Sequence, residues 1–260
     1  MIKFFRKIRY NLMSENKTGK YLKYAIGEIV LVVIGILIAL SINNWNEEKK
    51  VAEVEKQYMK SLLSDLAKDR IDLINNVDFG PIPVIYNDSL FSELQKRPLQ
   101  GREKRIYHFL LLYTNGILIS YHDRTISQLR NSGGFGLINK QEISDAVLDY
   151  DVYMRESIRF NESSRSNHFI NNDILLNDKM YDLYRVEHLK DSAIVHKEDM
   201  NKVAYPNDLK LQSYDDFDIK IALNSMSKVR TVDENNYKRA VQALDMNIKL
   251  DSLIRSEYLQ

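Results

Sequence analysis

Residues 24–45 are apolar almost throughout, and 29–40 form an uninterrupted run of Ile, Val, Leu, Gly and Ala. A helix rises ~1.5 Å per residue, so this stretch matches the ~30 Å hydrocarbon core of a bilayer. From residue 46 the pattern turns amphipathic. Val51, Val54, Tyr58, Leu62, Leu66 and Leu73 recur at steps of three, four or seven, with Glu47, Glu48, Lys49, Glu53, Glu55 and Lys56 on the other faces. No breaker lies between residues 42 and 77, so the apolar helix is expected to continue into the amphipathic one, loosened only near Asn43, Asn44 and Asn46. Asp65, Lys68 and Asp72 spoil a strict heptad, which predicts packing within a bundle rather than a coiled coil between chains.

Gly80, Pro81 and Pro83 break this helix, and Asp88 or Ser89 is placed to cap a short one ending near Arg97-Pro98. Residues 103–122 read as one central core helix, interrupted by His108 and Asn115 and too short for a second span. Asp123 or Thr125 opens a helix that stops at Gly133-Gly134, where glycine takes the left-handed cap. Asn139 opens a longer helix carrying Ile143, Val147, Tyr150, Met154 and Ile158 on one side. Residues 161–214, rich in Asn, Asp and Ser, read as loops and short helices with a turn at Pro206. The last helix is expected from Asp233 to about Leu259. Its apolar face is Tyr237, Ala240, Val241, Leu244, Ile248 and Leu250 or Leu253, packed back against the 46–77 helix.

Composition agrees with an all-α chain: four prolines and nine glycines in 260 residues, 44% hydrophobic and 28% charged. The absence of cysteine excludes a disulfide scaffold, a thiolate zinc site and a cysteine nucleophile. The formal net charge of +1 is uneven, because seven basic residues precede Tyr24 against the single acid Glu15, a balance of +6 that leaves the rest near −5. That asymmetry is a topology signal, not a nucleic-acid footprint, and no nucleic-acid partner is expected. It places the N-terminus in the cytoplasm and the body outside the membrane, in the periplasm of a two-membrane cell. Tyr21, Tyr24 and Trp45 are the expected interface anchors. Ala39-Leu40-Ser41 has the spacing of a signal-peptidase site, but the long basic and apolar stretches favour an uncleaved anchor. Before it, Ile2, Phe5, Ile8 and Leu12 recur at helical spacing with Lys3, Arg6 and Lys7 elsewhere, the pattern of a basic amphipathic segment on the inner leaflet.

One acid, Glu28, sits inside the apolar run. Gly35 is seven positions on and Ala39 eleven, so the three share one helical stripe, and Gly35-x-x-x-Ala39 is a small-xxx-small pair. Two readings stand. The stripe is a helix–helix contact face with Glu28 inside it, or Glu28 reaches back to the headgroups near Lys23.

The blocks "MIKFFRKIR", "YAIGEIVLVVIGILIALSINNWNE" and, more loosely, "TISQLRNSGGFGLINKQEISDAVLDYD" resemble an uncharacterised family of small single-span membrane proteins from Bacteroidota. The resemblance implies an inner-membrane protein with a helical exported domain, and it brings no catalytic residues.

Catalytic motifs are sparse. "NSGGFG" lacks the Lys-Ser/Thr of a phosphate loop, and there is no His-Glu-x-x-His. His188, His196, Glu198 and Asp199 form a loose cluster, but eight-residue spacing sets the imidazoles about 80° apart on a helix, too far round for one metal. Tyr113, His122, Asp123 and Arg124 are the best candidates for a polar pocket, with a helix cap as the alternative role for the last three. No catalytic, cofactor-binding or metal residue is assigned, and no cofactor is expected.

The sequence thus predicts an all-α protein: a basic amphipathic cytoplasmic segment (1–23), a transmembrane helix (24–45), and an exported antiparallel helical bundle (46–260). The expected partners are the lipid bilayer and a second copy or another membrane protein meeting the span. The leading function is non-enzymatic interaction or scaffolding. A periplasmic ligand-binding or sensory module acting through a partner is the alternative, and an envelope hydrolase using His122 the remote one.

Overall fold

The structure is a computed structural model, and it describes residues 10, 18–112, 117–164, 180–182 and 203–259. Tyr113, the His188, His196, Glu198 and Asp199 cluster, and most of the basic amphipathic segment lie outside the described residues, as do the side chains of Tyr21 and Tyr24. Every regular element among the described residues is helical: α1 (Thr18–Phe79), α2 (Pro81–Gln95), α3 (Glu103–Leu112), α4 (Arg124–Asn131), a 3-10 turn (Gly134–Leu137), α5 (Gln141–Ser164) and α6 (Asp216–Tyr258). The chain divides into two compact units, Met1–Gln57 and Tyr58–Gln260.

In the first unit α1 carries an 18-residue window of mean hydropathy 2.8, none of it buried by protein. By length and composition it is able to cross a membrane. Helix α1 is unbroken through Asn43, Asn44 and Asn46. Val51 and Val54, expected on a packed face, are exposed.

In the second unit a buried seam steps by three and four along two of the helices. On α1 it runs Met59, Leu62, Leu66, Asp69, Leu73; on α6 it runs from Ile219 through Ala222, Met226, Val229, Asp233, Asn236, Ala240, Ala243, Asn247 and Leu250 to Ile254. Such a seam keeps one face of a helix on its neighbour along its whole length. Leu66 meets Asn247 while Gly80 meets Tyr237, so α1 and α6 are antiparallel. The same holds for α2 against α6, where Asp88 pairs with Arg230 and Arg97, just past the end of α2, with Asp216, and for α5 against α6, through Tyr153–Gln242 and Phe160–Val232.

Two apolar cores share α6. One joins its C-terminal half, from Ala243 to Ile254, to α1, α4 and α5; the other joins its N-terminal part, from Ile219 to Met226, to α2, α3, Tyr181 and Leu209. Helix α6 begins with Asp215, whose carboxylate accepts the N–H groups of Phe217 (2.8 Å) and Asp218 (3.4 Å).

Four expectations are corrected. The final helix opens at Asp215, not at Asp233, which lies mid-helix. Its buried face is rotated from the expected one: Val241 and Ile248 are exposed while Asn247 is buried, because a polar residue holds a seam position. Of the described residues in the 103–122 stretch, Glu103–Leu112 are helical and 117–122 are irregular. Asp88 and Ser89 lie inside α2, which starts at Pro81, where the missing N–H of proline removes no helical hydrogen bond.

Gly80 joins α1 to α2 in right-handed helical conformation, its N–H bonded to Asn76 O at 2.9 Å. A Cβ there would stand 2.4 Å from Asn76 O and 2.6 Å from Cδ2 of Tyr237. Glycine is needed for this close approach rather than for an unusual φ. Gly80→Ala should destabilise the bundle by about 1–3 kcal/mol through overpacking, read as a lower urea midpoint of the detergent-solubilised protein; an unchanged midpoint would contradict the close α1–α6 approach.

Candidate functional site

Helix α4 is eight residues long and needs its first N–H groups satisfied. Asp123 holds its N-cap position but makes no capping bond. The donors are met from α1 instead. Asp65 and Asp69, four residues apart and so on one helical face, are 2% and 1% exposed. Asp65 Oδ2 accepts both the N–H (3.0 Å) and the Oγ1–H (2.6 Å) of Thr125. Asp69 Oδ1 accepts the backbone N–H of His122 at 2.7 Å and pairs with its Nδ1 at 2.9 Å.

Asp69 Oδ2 accepts the hydroxyl of Tyr150 on α5 at 2.9 Å, and that oxygen in turn accepts Nδ2 of Asn247 on α6 at 3.2 Å. Asn247 also donates to Leu66 O and accepts Nε of Arg70, both at 2.9 Å. Burial raises the Asp69 carboxyl above the ordinary range, and the donors from His122 and Tyr150 pull it partly back. Burial likewise raises the Tyr150 phenol, reinforced by the Asp69 charge.

Beside this network stands a second one. Asp151, fully buried on α5, accepts Tyr121 Oη (2.8 Å) and Arg155 Nε (3.0 Å) and pairs with Arg130 of α4. Arg155 spans to Asp123 Oδ2 at 2.5 Å, where Ser127 Oγ also donates at 2.8 Å. Burial acts to raise the Asp123 carboxyl, but the Ser127 and Arg155 bonds outweigh it and hold it below its usual range. Burial and the Asp151 charge raise the Tyr121 phenol.

Of the sequence candidates, His122 and Asp123 therefore sit next to each other at the start of α4 but face different partners, Asp69 and Arg155. Arg124 is exposed and enters neither network. The His122 imidazole pairs Nδ1 with the Asp69 carboxylate on a side chain 39% exposed. A nucleophile at its side would complete a hydrolytic pair; the neighbouring Ser120 instead donates to Asp72 Oδ2 at 2.8 Å. A shallow cavity adjoins, lined by Tyr121, Asp123, Arg155, Ile158, Arg159 and Glu162. Among the described residues no group of three or more His, Asp or Glu side chains is gathered for one metal ion. Sequence reading missed Asp65, Asp69, Asp151 and Asn247. The signal for them was acid or amide at seam spacing within otherwise apolar faces.

On the apolar stretch, Gly35 and Ala39 are exposed and Glu28 is half-buried. A Cβ on Gly35 would meet nothing within 4 Å in the single chain. Trp45 is exposed, with Lys49 Nζ 3.8 Å from its ring centroid.

Within the second network the two acids differ in burial, and their variants should differ accordingly. Asp151→Ala takes a buried acceptor from Arg130, Arg155 and the Tyr121 phenol and should remove about 2–4 kcal/mol of stability, at the low end because both arginines reach solvent and Arg155 keeps Asp123. Asp123→Asn, at a partly exposed pair, should lose no more than about 1 kcal/mol. Urea denaturation followed by circular dichroism checks both, and equal losses would contradict this ordering.

Residues 28–79 match the model of a family described as Family of unknown function (DUF6090), roughly a fifth of the chain and all of it within α1. No curated protein and no solved structure matches the chain.

Proposed function

We propose that this protein is a single-span protein of the bacterial inner membrane, with its helical body in the periplasm, that works by binding other proteins rather than by catalysis. The observation that carries the proposal is the unburied apolar window of α1, which belongs to the same continuous helix as the seam of the folded second unit. An apolar helix left uncovered among the described residues belongs in lipid or against another helix. The open face at Gly35 supports the second contact in addition to the first. Glu28 lies on the same stripe, where a carboxyl is better accommodated in a helix–helix contact than against lipid. The excess of lysine and arginine before Tyr24 supports the cytoplasmic N-terminus. The resemblance to Bacteroidota membrane proteins agrees with the same placement. The tying of Asp65, Asp69 and Asp151 into helix–helix contacts suits a rigid platform.

Orientation is checked by C-terminal fusions: alkaline phosphatase should be active and a cytoplasm-dependent fluorescent protein dark, and the opposite pair would reverse the topology. Binding is checked by crosslinking in native membranes followed by affinity purification. A crosslinked dimer or a stoichiometric co-eluting membrane protein is expected, and monomer alone would overturn the reading. Gly35→Leu should reduce self-association of the span at least several-fold, with Glu28→Gln weaker in effect. If neither changes association, the stripe is not the contact face.

A further inference from the structure

The seam of α6 contains three polar positions, Asp233, Asn236 and Asn247. Asn247 is fully bonded, whereas the other two are not. Asp233 is 2% exposed and Asn236 fully buried, and among the described residues neither carboxyl oxygen of Asp233 and neither amide atom of Asn236 has a hydrogen-bond partner. Their place is specific. Arg230 pairs with Asp88 and Tyr237 lies against Gly80, so the α6 segment between them runs alongside residues 80–88. That is the Gly80-Pro81-x-Pro83 junction, where α1 ends and α2 begins. It also lies between the two apolar cores, where among the described residues Val229, Val232 and the half-buried Phe160 form a small separate cluster. The bundle therefore has a waist, with a helix junction on one side and an unpaired acid on the other.

We infer that this waist is a proton-responsive hinge: Asp233 is held neutral while the α2–α6 contact is closed, and its ionisation loosens that contact and lets the two cores move relative to each other. An ionised carboxylate without a donor is costly in such a site, whereas the neutral acid is tolerated, so closure and protonation are coupled. The charged groups on the surrounding elements are engaged elsewhere. On α6, Arg230 is bonded to Asp88 (2.5 Å) and Glu234 (2.6 Å), and Arg239 lies over the Phe160 ring. On α2, Asp88 is taken by Arg230. On α1, Asp78 is exposed; on α5, Glu156 and Arg159 are exposed and Tyr153 Oη bonds to Gln242. Burial alone pushes the Asp233 carboxyl up to about 7, with no charge acting on it.

The sign follows from linkage. A carboxyl whose folded pKa lies above its unfolded value contributes stability that is full below about 4 and is lost as pH rises to about 7. The test is urea unfolding of the full chain in detergent at pH 5, 6, 7 and 8, as wild type and as Asp233→Asn, which keeps shape and removes the charge. The ratio of the wild-type to the variant unfolding constant should rise by up to tenfold per pH unit between pH 5 and 7 and level off above. A second measurement separates a hinge from a global effect. Relative to the variant, wild-type amide exchange corrected for intrinsic rate should rise from pH 5 to pH 8 at 80–88 and 229–240 before it rises at 59–73. A constant ratio across pH, or exchange that rises uniformly along the chain, overturns the inference.

Discussion

The placement of α4 depends on two carboxylates that α1 holds out of water, Asp65 and Asp69. An eight-residue helix does not persist alone, and α4 has no side-chain cap of its own. The acids of α1 receive the N–H groups of Thr125 and His122, and this docks the helix with Ile126 and Leu129 in the core. Tyr150 then donates to Asp69 and accepts from Asn247, so α1, α4, α5 and α6 meet at one set of hydrogen bonds. A buried network of this kind is favourable only when nearly every member is satisfied. Removing Tyr150 or Asn247 would therefore be felt at α4, with which neither shares a helix.

How much of this was legible in the sequence follows from the physics each feature uses. The apolar stretch and the unbroken α1 were legible because they depend on runs and the absence of breakers. The stop at Gly133 was legible because its φ of 68° favours glycine. Helix α5 was legible because Ile143, Val147, Tyr150 and Met154 are apolar and buried in register. The 103–122 stretch was misread because residues 117–119 are apolar without being helical; they pack as irregular chain whose carbonyls meet side chains, Leu118 O accepting Asn76 and Ile117 O accepting Asn161. The start of α6 was misplaced because Asp233 looks like a cap when burial is unknown. Asp65 was taken as a flaw in the seam when it is a ligand for another helix. In the last two cases polarity was read as exposure, and that error lies wherever a polar side chain is buried within a helix face.

Those polar positions also explain why the bundle has one register. Seams of Leu, Ile and Ala slide by a heptad at little loss of contact, as generic knobs fit generic holes. Asn247 has no such freedom, since a shift of seven residues would separate it from Arg70 and Tyr150 and leave a buried amide unpaired. Asp151 fixes α5 against α4 in the same way, and Glu93 ties the end of α2 to α3 and the 97–102 turn through Arg102 and Arg105.

Asp233 cannot be explained on these grounds. It occupies a seam position of α6 as Asn247 does, yet contributes no bond that would penalise a slipped register among the described residues. An apolar residue there would join the two cores into one and strengthen the bundle. Register therefore accounts for every buried acid discussed except this one, and stability argues against it. What remains is its location, opposite the junction where α1 and α2 meet through a glycine followed by Pro81 and Pro83. At that point a weak contact has a mechanical consequence, because the segments on either side are each anchored to a separate core.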